Sequence, residues 1–308
     1  MPELPEVETV VRELNKKLRG RVIVSVEVRA AKLVSVGPAT LSPIRTTSQR
    51  VVATFKSKLI GHKILSVHRR AKILFFNLSG PYTILVHLKM TGQFIFEDIA
   101  LRKKTGGTYR LLNRLNAPLL SLPGKHTHVI ISFKDTSKLY FNDMRKFGYL
   151  KLIKDTEVNQ VKELAAFGPE PLSRDFSYHT FRAAVKKRNK STVKQVLMDN
   201  KVVVGIGNIY SDEILFHAKV RPTRKVGRLQ EKELRAIYNQ IRLVLRRGIA
   251  AKGSSVGDFV RTDGTWGTMG KYHFVYGRRK QPCKVCRTPI QSTKLGGRTS
   301  SFCPQCQK

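Results

Sequence analysis

Two patterns of apolar positions divide the chain. Near its start Val7, Val11, Leu14 and Leu18 recur at helical spacing. That places them on one face of a helix from about Pro5 to Leu18. Pro5 suits a first helical turn, because its missing N–H would have no intrahelical partner. Glu6 and Glu8 complement the positive end of the helix dipole there. From about Arg21 to Leu152 the pattern changes. Val22–Val28 alternates in part, and Ile73–Leu78, Thr83–Leu88, Val129–Phe133 and Leu139–Phe141 are short apolar runs. Many short strands with turn residues between them predict a sandwich or barrel. Two stretches break the run, 35–50 (rich in Ser, Thr and Pro) and 97–125 (with Arg102-Lys103-Lys104, Gly106-Gly107 and Pro118); both read as long loops or insertions.

Gly168-Pro169-Glu170-Pro171-Leu172 reads as a linker, and helical patterning follows it. Val185, Val193, Val196 and Leu197 predict helix between Phe181 and about Asn200, and residues 229–250 another amphipathic helix. In Val203-Val204-Gly205-Ile206-Gly207-Asn208, two glycines one residue apart mark a turn. A further helix restarts at Ile209, with Asn208 placed as its cap. Five glycines among Ser and Thr make 253–271 a mobile loop.

Charge and cysteine usage then narrow the chemistry. The 308 residues carry 58 Lys+Arg against 21 Asp+Glu, a formal charge of +37. Such an imbalance says little about fold and much about partners: DNA, RNA or an anionic membrane surface. The basic residues are spread along the chain, so a folded cationic surface is expected rather than a basic tail. No apolar run is long enough for a membrane span, and no signal-peptide pattern opens the chain, which points to the cytoplasm. All four cysteines lie in one C-x2-C-x16-C-x2-C array, Cys283, Cys286, Cys303 and Cys306. Two such knuckles fit one tetrahedral zinc, with no open position for catalysis. Gly296-Gly297 between them predicts a hairpin turn that presents Lys294 and Arg298.

The first residues carry the candidate reaction chemistry. If Met1 is removed, Pro2 exposes a secondary amine. An α-amino group titrates near pH ~7.7–8.0, so a useful fraction is unprotonated and nucleophilic at neutral pH. Glu3, one residue on, could move protons. The plain alternative is a chance Met-Pro start.

Along nearly its whole length the sequence resembles the formamidopyrimidine-DNA glycosylases. The resemblance rests on Pro2-Glu3-Leu4-Pro5-Glu6-Val7-Glu8, Arg69-Arg70-Ala71-Lys72, His87-Leu88-Lys89-Met90-Thr91-Gly92, Lys125-His126-Thr127-His128 and Asp143-Met144-Arg145-Lys146-Phe147-Gly148. Gly168–Leu172, Leu197-Met198-Asp199-Asn200, Gly205–Tyr210 and the four cysteines continue it.

The resemblance implies an α+β multidomain fold. An N-terminal helix plus two-layered β-sandwich would span 2–168. A helix–two-turn–helix domain would span 169–272, its loop 253–271 covering the lesion. A zinc-held β-hairpin finger would span 273–308. It implies base-excision repair of double-stranded damaged DNA: release of oxidised purines through a Pro2 Schiff base, then β,δ-elimination. Pro2, Glu3, Lys72 and Arg298 match catalytic positions. His87, His126, Lys190 and Asn208 match DNA-backbone contacts. Met90, Arg145 and Phe147 match the wedge that fills the gap left by an extruded base. One structural zinc and no organic cofactor are implied, in a monomer of the bacterial nucleoid with no membrane partner. Lys146 stands where arginine is common in the family, and Lys89 where glycine is common. The alternatives are an endonuclease VIII-like enzyme for oxidised pyrimidines and a non-catalytic DNA-binding protein of the same fold.

Overall fold

The computed structural model describes all residues except 39–47, 110–119 and 258. The chain forms two compact units. The first comprises Met1–Pro2, Glu6–Ala165 and Lys252–Gly267; the second comprises Glu3–Pro5, Ala166–Ala251 and Thr268–Lys308. Among the described residues no helix is long and apolar enough to cross a membrane.

In chain order the elements up to Ala165 are α1 (Leu4–Leu18), β1 (Ile23–Val28), β2 (Val34–Val36), α2 (Gln49–Ser57), β3 (Ile64–Arg70), β4 (Ile73–Leu78), β5 (Tyr82–His87) and β6 (Gly92–Glu97). They continue with α3 (Ile99–Thr105), β7 (Thr108–Tyr109), β8 (Leu120–Ser121), β9 (Thr127–Phe133), β10 (Lys138–Asp143), β11 (Tyr149–Lys154) and α4 (Lys162–Ala165). Two sheets form the sandwich of the first unit, ordered β1-β9-β10-β6 and β2-β11-β5-β4-β3. All pairings are antiparallel except β2 with β11. The inward faces share one core, in which Phe94 packs against Phe76 and Phe141 at ring-centroid distances of 5.5 and 5.2 Å. Val7, Val11, Leu14 and Leu18 of α1 enter that core. Each such side chain, fully buried, contributes about 1.5–3 kcal/mol. β4 does not alternate because both its faces are covered: Phe75, outside the main core, stacks on His68 at 4.9 Å.

The two loop regions read from the sequence hold more structure than expected. Ser35 and Val36 finish β2, and α2 begins at Gln49; α3, β7 and β8 lie inside 97–125. Short elements of two to nine residues carry too little periodicity to be told from loop. Within these stretches 39–47 and 110–119 lie outside the described residues. The 253–271 segment is largely irregular, as read, but it is not loosely held. Ser254 N donates to Glu6 Oε1 at 2.7 Å and Thr262 N to Glu13 Oε2 at 3.1 Å; Ser254, Phe259, Val260 and Thr262 are buried.

The second unit holds α5 (Tyr178–Lys186), α6 (Val193–Leu197), α7 (Asn208–His217), α8 (Glu231–Ala250) and the hairpin of β12 (Gln291–Leu295) with β13 (Arg298–Phe302). The stretch predicted as helix from Phe181 to Asn200 is two helices. The second is opened by a capping box between Thr192 and Gln195. The apolar faces of α5, α6 and α8 and the centre of α7 make one core, which Leu4 joins. Glycines 296 and 297 both take positive φ, 53° and 75°, as a tight hairpin turn requires.

Candidate active site and zinc centre

Glu3 caps α7 from far along the chain. Its carboxylate accepts from Gly207 N at 2.8 Å, Ile209 N at 2.8 Å and Tyr210 N at 3.3 Å. These are the amides a helix start leaves without intrahelical acceptors, and the helix dipole there favours an anion. The expectation that Asn208 caps α7 is therefore corrected. Gly207 occupies the N-cap position and Asn208 is the first helical residue. The approach demands the two glycines. A Cβ on Gly207 would lie 2.3 Å from Glu3 Cδ, and one on Gly205, at φ 84°, 2.7 Å from Leu4 Cδ1. Asn208 is left with its side-chain oxygen buried and without a hydrogen-bond partner among the described residues. Its side chain meets the hydroxyl of Tyr276, whose pKa is raised by burial and by the Glu3 charge.

Polar residues of α7 hold the finger. Glu213 accepts three backbone N–H groups, from Phe274, Val275 and Tyr276, at 2.9–3.0 Å. Asp212, 1% exposed, takes Lys194 Nζ at 2.7 Å, Ser300 Oγ at 2.8 Å and Ser301 N at 2.9 Å. Burial pushes the Asp212 carboxyl up to about 6, against the pull of Lys194. Lys194 also donates to Thr299 O at 3.3 Å, so one ion pair fixes the start of β13. Arg298 at that start is exposed, with Nη1 4.0 Å from Met198 Sδ; Lys190 is exposed in the turn before α6. Asp212, Glu213 and Lys194 were not singled out from the sequence. Their only signal is three ionisable residues at positions that packing buries.

The four cysteine sulfurs lie within 4.8 Å of one another. Cys283 and Cys306 sulfurs are 3.9 Å apart, Cys286 and Cys303 3.4 Å. A zinc tetrahedron with ~2.3 Å bonds needs sulfurs roughly 3.8 Å apart, so the set fits the ion. The backbone N–H of Val285 points to Cys283 Sγ and that of Cys306 to Cys303 Sγ, each at 3.4 Å. These four residues hold one structural zinc. Ile290, Phe216 and Val275 pack around the centre.

In the first unit Pro2 is buried. Lys72, 7% exposed, follows Ala71 in the β3–β4 turn, where Ala71 adopts φ 55°. Arg69 steadies that turn, donating to Ala71 O at 3.2 Å and to Glu8 Oε2 of α1 at 2.7 Å. His87 ends β5. Its Nδ1 accepts from Lys89 N at 2.9 Å, which leaves the Nε2–H as a donor. Burial, with Lys89 and Lys72 adding to it, lowers the His87 pKa to about 3, so the ring is neutral. Lys89 itself sits at φ 51°, a left-handed conformation that explains why glycine suits this position.

Met90, Arg145 and Phe147 come together. Met90 and Phe147 are 39% and 41% exposed, which excludes a core role for either. Arg145 Nη1 lies 2.9 Å from Met90 Sδ, and its guanidinium stands 4.7 Å from the Phe147 ring centre. The organising group is Asp143, fully buried at the end of β10. It accepts from Arg145 N at 3.1 Å, Gly148 N at 2.7 Å and the Thr91 hydroxyl. Its own N–H donates to His126 O at 2.9 Å. Burial and the neighbouring Lys125 and Lys146 lower the His126 pKa.

Comparison with known proteins identifies the family and the fold. Residues 1–150 match the formamidopyrimidine-DNA glycosylase N-terminal domain, 167–260 the H2TH domain of the same enzymes, and 280–308 the zinc finger found in FPG and IleRS. The formamidopyrimidine-DNA glycosylase of Listeria monocytogenes is 37% identical over 308 residues, covering all of both chains. That of Bacillus subtilis is 36% identical over 307 residues, covering 100% of this chain and 99% of the relative. Lactococcus lactis Fpg in complex with abasic-site DNA superposes with a TM-score of 0.80 at 32% identity, covering 99% of each chain. MutM bound to DNA containing carbocyclic 8-oxo-G gives 0.79 at 32% identity, over all of both chains. The chain belongs to the formamidopyrimidine-DNA glycosylase family.

Proposed function

We propose that this protein is a base-excision DNA repair glycosylase and abasic-site lyase that removes oxidised purines from duplex DNA. The observation that carries the proposal is the grip of three backbone amides at the start of α7 on Glu3, which fixes the carboxylate next in sequence to Pro2. Relatives of the same fold have been solved with Fapy-dG, 8-oxo-G and abasic-site DNA.

The reaction begins with removal of Met1, which makes the Pro2 nitrogen a secondary amine. Its lone pair attacks C1′ of the extruded nucleoside. A new N–C1′ bond forms, the glycosidic bond breaks, and its electron pair leaves with the base, which takes up a proton. Glu3 moves protons as the sugar ring opens to the iminium. Loss of a C2′ proton then expels the 3′ phosphate, and a second elimination expels the 5′ phosphate. Lys72 and Arg298 serve these steps as proton donor or phosphate partner. His87, His126, Lys190 and Asn208 contact the backbone. A neutral His87 offers the phosphate its Nε2–H as a donor. Met90, Arg145 and Phe147 fill the stack, since apolar and planar groups replace a missing base. The zinc holds the finger and takes no part in the chemistry.

The test is base release from matched duplexes carrying 8-oxoguanine or thymine glycol. Faster release of 8-oxoguanine supports the proposal; preference for thymine glycol assigns the protein to oxidised pyrimidines instead.

A further inference from the structure

Between β6 and β9, residues 98–109 have no task in the reaction above, yet they are built into the first unit. α3 opens on Asp98, whose Oδ1 accepts from Leu101 N at 2.7 Å, and closes on left-handed Gly106. Tyr109 of β7 donates its hydroxyl to Glu97 Oε2 at 2.7 Å, and Tyr140 of β10 donates to Oε1 at 3.1 Å. Glu97 is the last residue of β6 and is 5% exposed. Burial and the carboxylate raise the pKa of both tyrosines, so each stays a proton donor. A buried carboxylate whose two oxygens each accept a phenol is a rigid, satisfied network.

Around this network the outer face of the four-stranded sheet collects a second small core. Ile95, Ile130 and Tyr140 come from the sheet, and Tyr109, Leu101 and Leu122 come from the connection between β6 and β9. Val260 and Trp266 complete it, both from the Lys252–Gly267 segment. That segment also extends the sheet edge: Phe96 N donates to Thr262 O at 2.9 Å. Its two ends cross closely, since a Cβ on Gly267 would lie 2.2 Å from Gly253 O. Between them Val256 is 50% exposed and Gly257 is exposed. The segment therefore has fixed legs and an open tip.

We propose that residues 98–109 are a brace for this segment. Tyr109 and Glu97, with Leu101, seat Val260 and Trp266 so that the exposed tip is presented in one arrangement. The inference rests on the function proposed above, together with the expectation from the family resemblance that this segment covers the extruded purine. A pre-ordered cover spares the ordering cost when the base arrives and excludes water around it. The brace therefore speeds base release and leaves cleavage at an abasic site alone, because there is no base to cover. Tyr109 and Glu97 are positioning residues and touch no substrate.

Trp266 is the only tryptophan in the chain, so its fluorescence reports this cluster alone. The experiment uses the full zinc-loaded protein carrying Tyr109→Ala, with Tyr109→Phe as the milder change that removes only the hydroxyl. Hydrogen exchange over 252–267 and Trp266 anisotropy are read without DNA. Single-turnover base release from an 8-oxoguanine·cytosine duplex is then compared with cleavage of a preformed abasic site. In Tyr109→Ala, exchange over 260–267 rises about tenfold and anisotropy falls. Base release drops about fivefold, while abasic-site cleavage stays within about twofold. Tyr109→Phe shows smaller changes in the same directions, and it carries the test if Tyr109→Ala does not fold. Unchanged exchange and anisotropy overturn the brace, as do equal losses in the two reactions. If the unaltered protein releases no oxidised purine, the proposed function fails, while exchange and anisotropy still judge the brace.

Discussion

The carboxylate of Glu3 accepts the backbone N–H of Ile209 at 2.8 Å, across 206 positions of sequence. The contact anchors residue 3 to the start of α7, and it exists because Gly207 has no side chain. Gly207→Ala would put a methyl group inside the Glu3 carboxylate. The account predicts that this variant stays folded and binds zinc but loses base release by at least about a hundredfold, with Glu3→Gln behaving similarly. Single-turnover kinetics beside a thermal melt check it; full activity in Gly207→Ala would show that Glu3 needs no fixed seat.

That contact also marks where the sequence stops being legible. Val7, Val11, Leu14 and Leu18 declare α1 by spacing, and the cysteines declare the metal by spacing, because both signals are local. The α7 cap is not local: Asn208 carries the usual signature, and the cap arrives from residue 3. α7 itself has weak amphipathicity because Ser211, Asp212 and Glu213 are all buried. The finger partners of Asp212 and Glu213, namely Ser300, Ser301 and the Phe274–Tyr276 backbone, lie about 60 to 90 positions away. The wedge residues were legible only through resemblance. By hydrophobicity Met90 and Phe147 belong to a core, and only their exposure and the buried Asp143 beneath them separate the two cases.

The Lys194–Asp212 pair is enclosed, with both side chains at most 2% exposed. Lys194→Met leaves a buried carboxylate without its cation, which typically costs about 3–5 kcal/mol. Urea unfolding should show a loss of that order, together with loosening of Thr299–Ser301 in hydrogen exchange. A loss below about 1 kcal/mol would mean that the pair is not what fixes the finger strand.

His87 gives a pH dependence of defined sign. Its pKa is near 6.5 when unfolded and about 3 when folded, so the unfolded chain binds the extra proton between those values. The stability it lends is complete above pH 6.5 and is lost as pH falls from 6.5 towards 3. Burial lowers His68, His128 and His217 as well, so the slope is shared. The difference between the protein and His87→Gln isolates one group. Stability measured from pH 4 to 7 should fall less steeply on acidification in the variant, and identical slopes would mean that His87 charges freely in the fold.

Zinc removal should act on the finger first. The centre sits among Ile290, Phe216 and Val275, and thiolate–zinc bonds supply folding energy that so small a unit cannot find in its own core. Chelation should release one zinc per chain, raise hydrogen exchange over 280–308 and weaken DNA binding, while the sandwich keeps its protection. A finger that stays protected after metal loss would contradict the assignment.

The central claim is that the Pro2 nitrogen becomes bonded to the sugar. Borohydride reduction during reaction with an 8-oxoguanine·cytosine duplex tests it directly. Protein lacking Met1 should yield a covalent protein–DNA adduct whose attachment maps to Pro2, while Pro2→Gly yields much less and Met1-retaining protein binds the duplex without an adduct. No adduct from protein lacking Met1, or an adduct mapped to Lys72, would contradict the account.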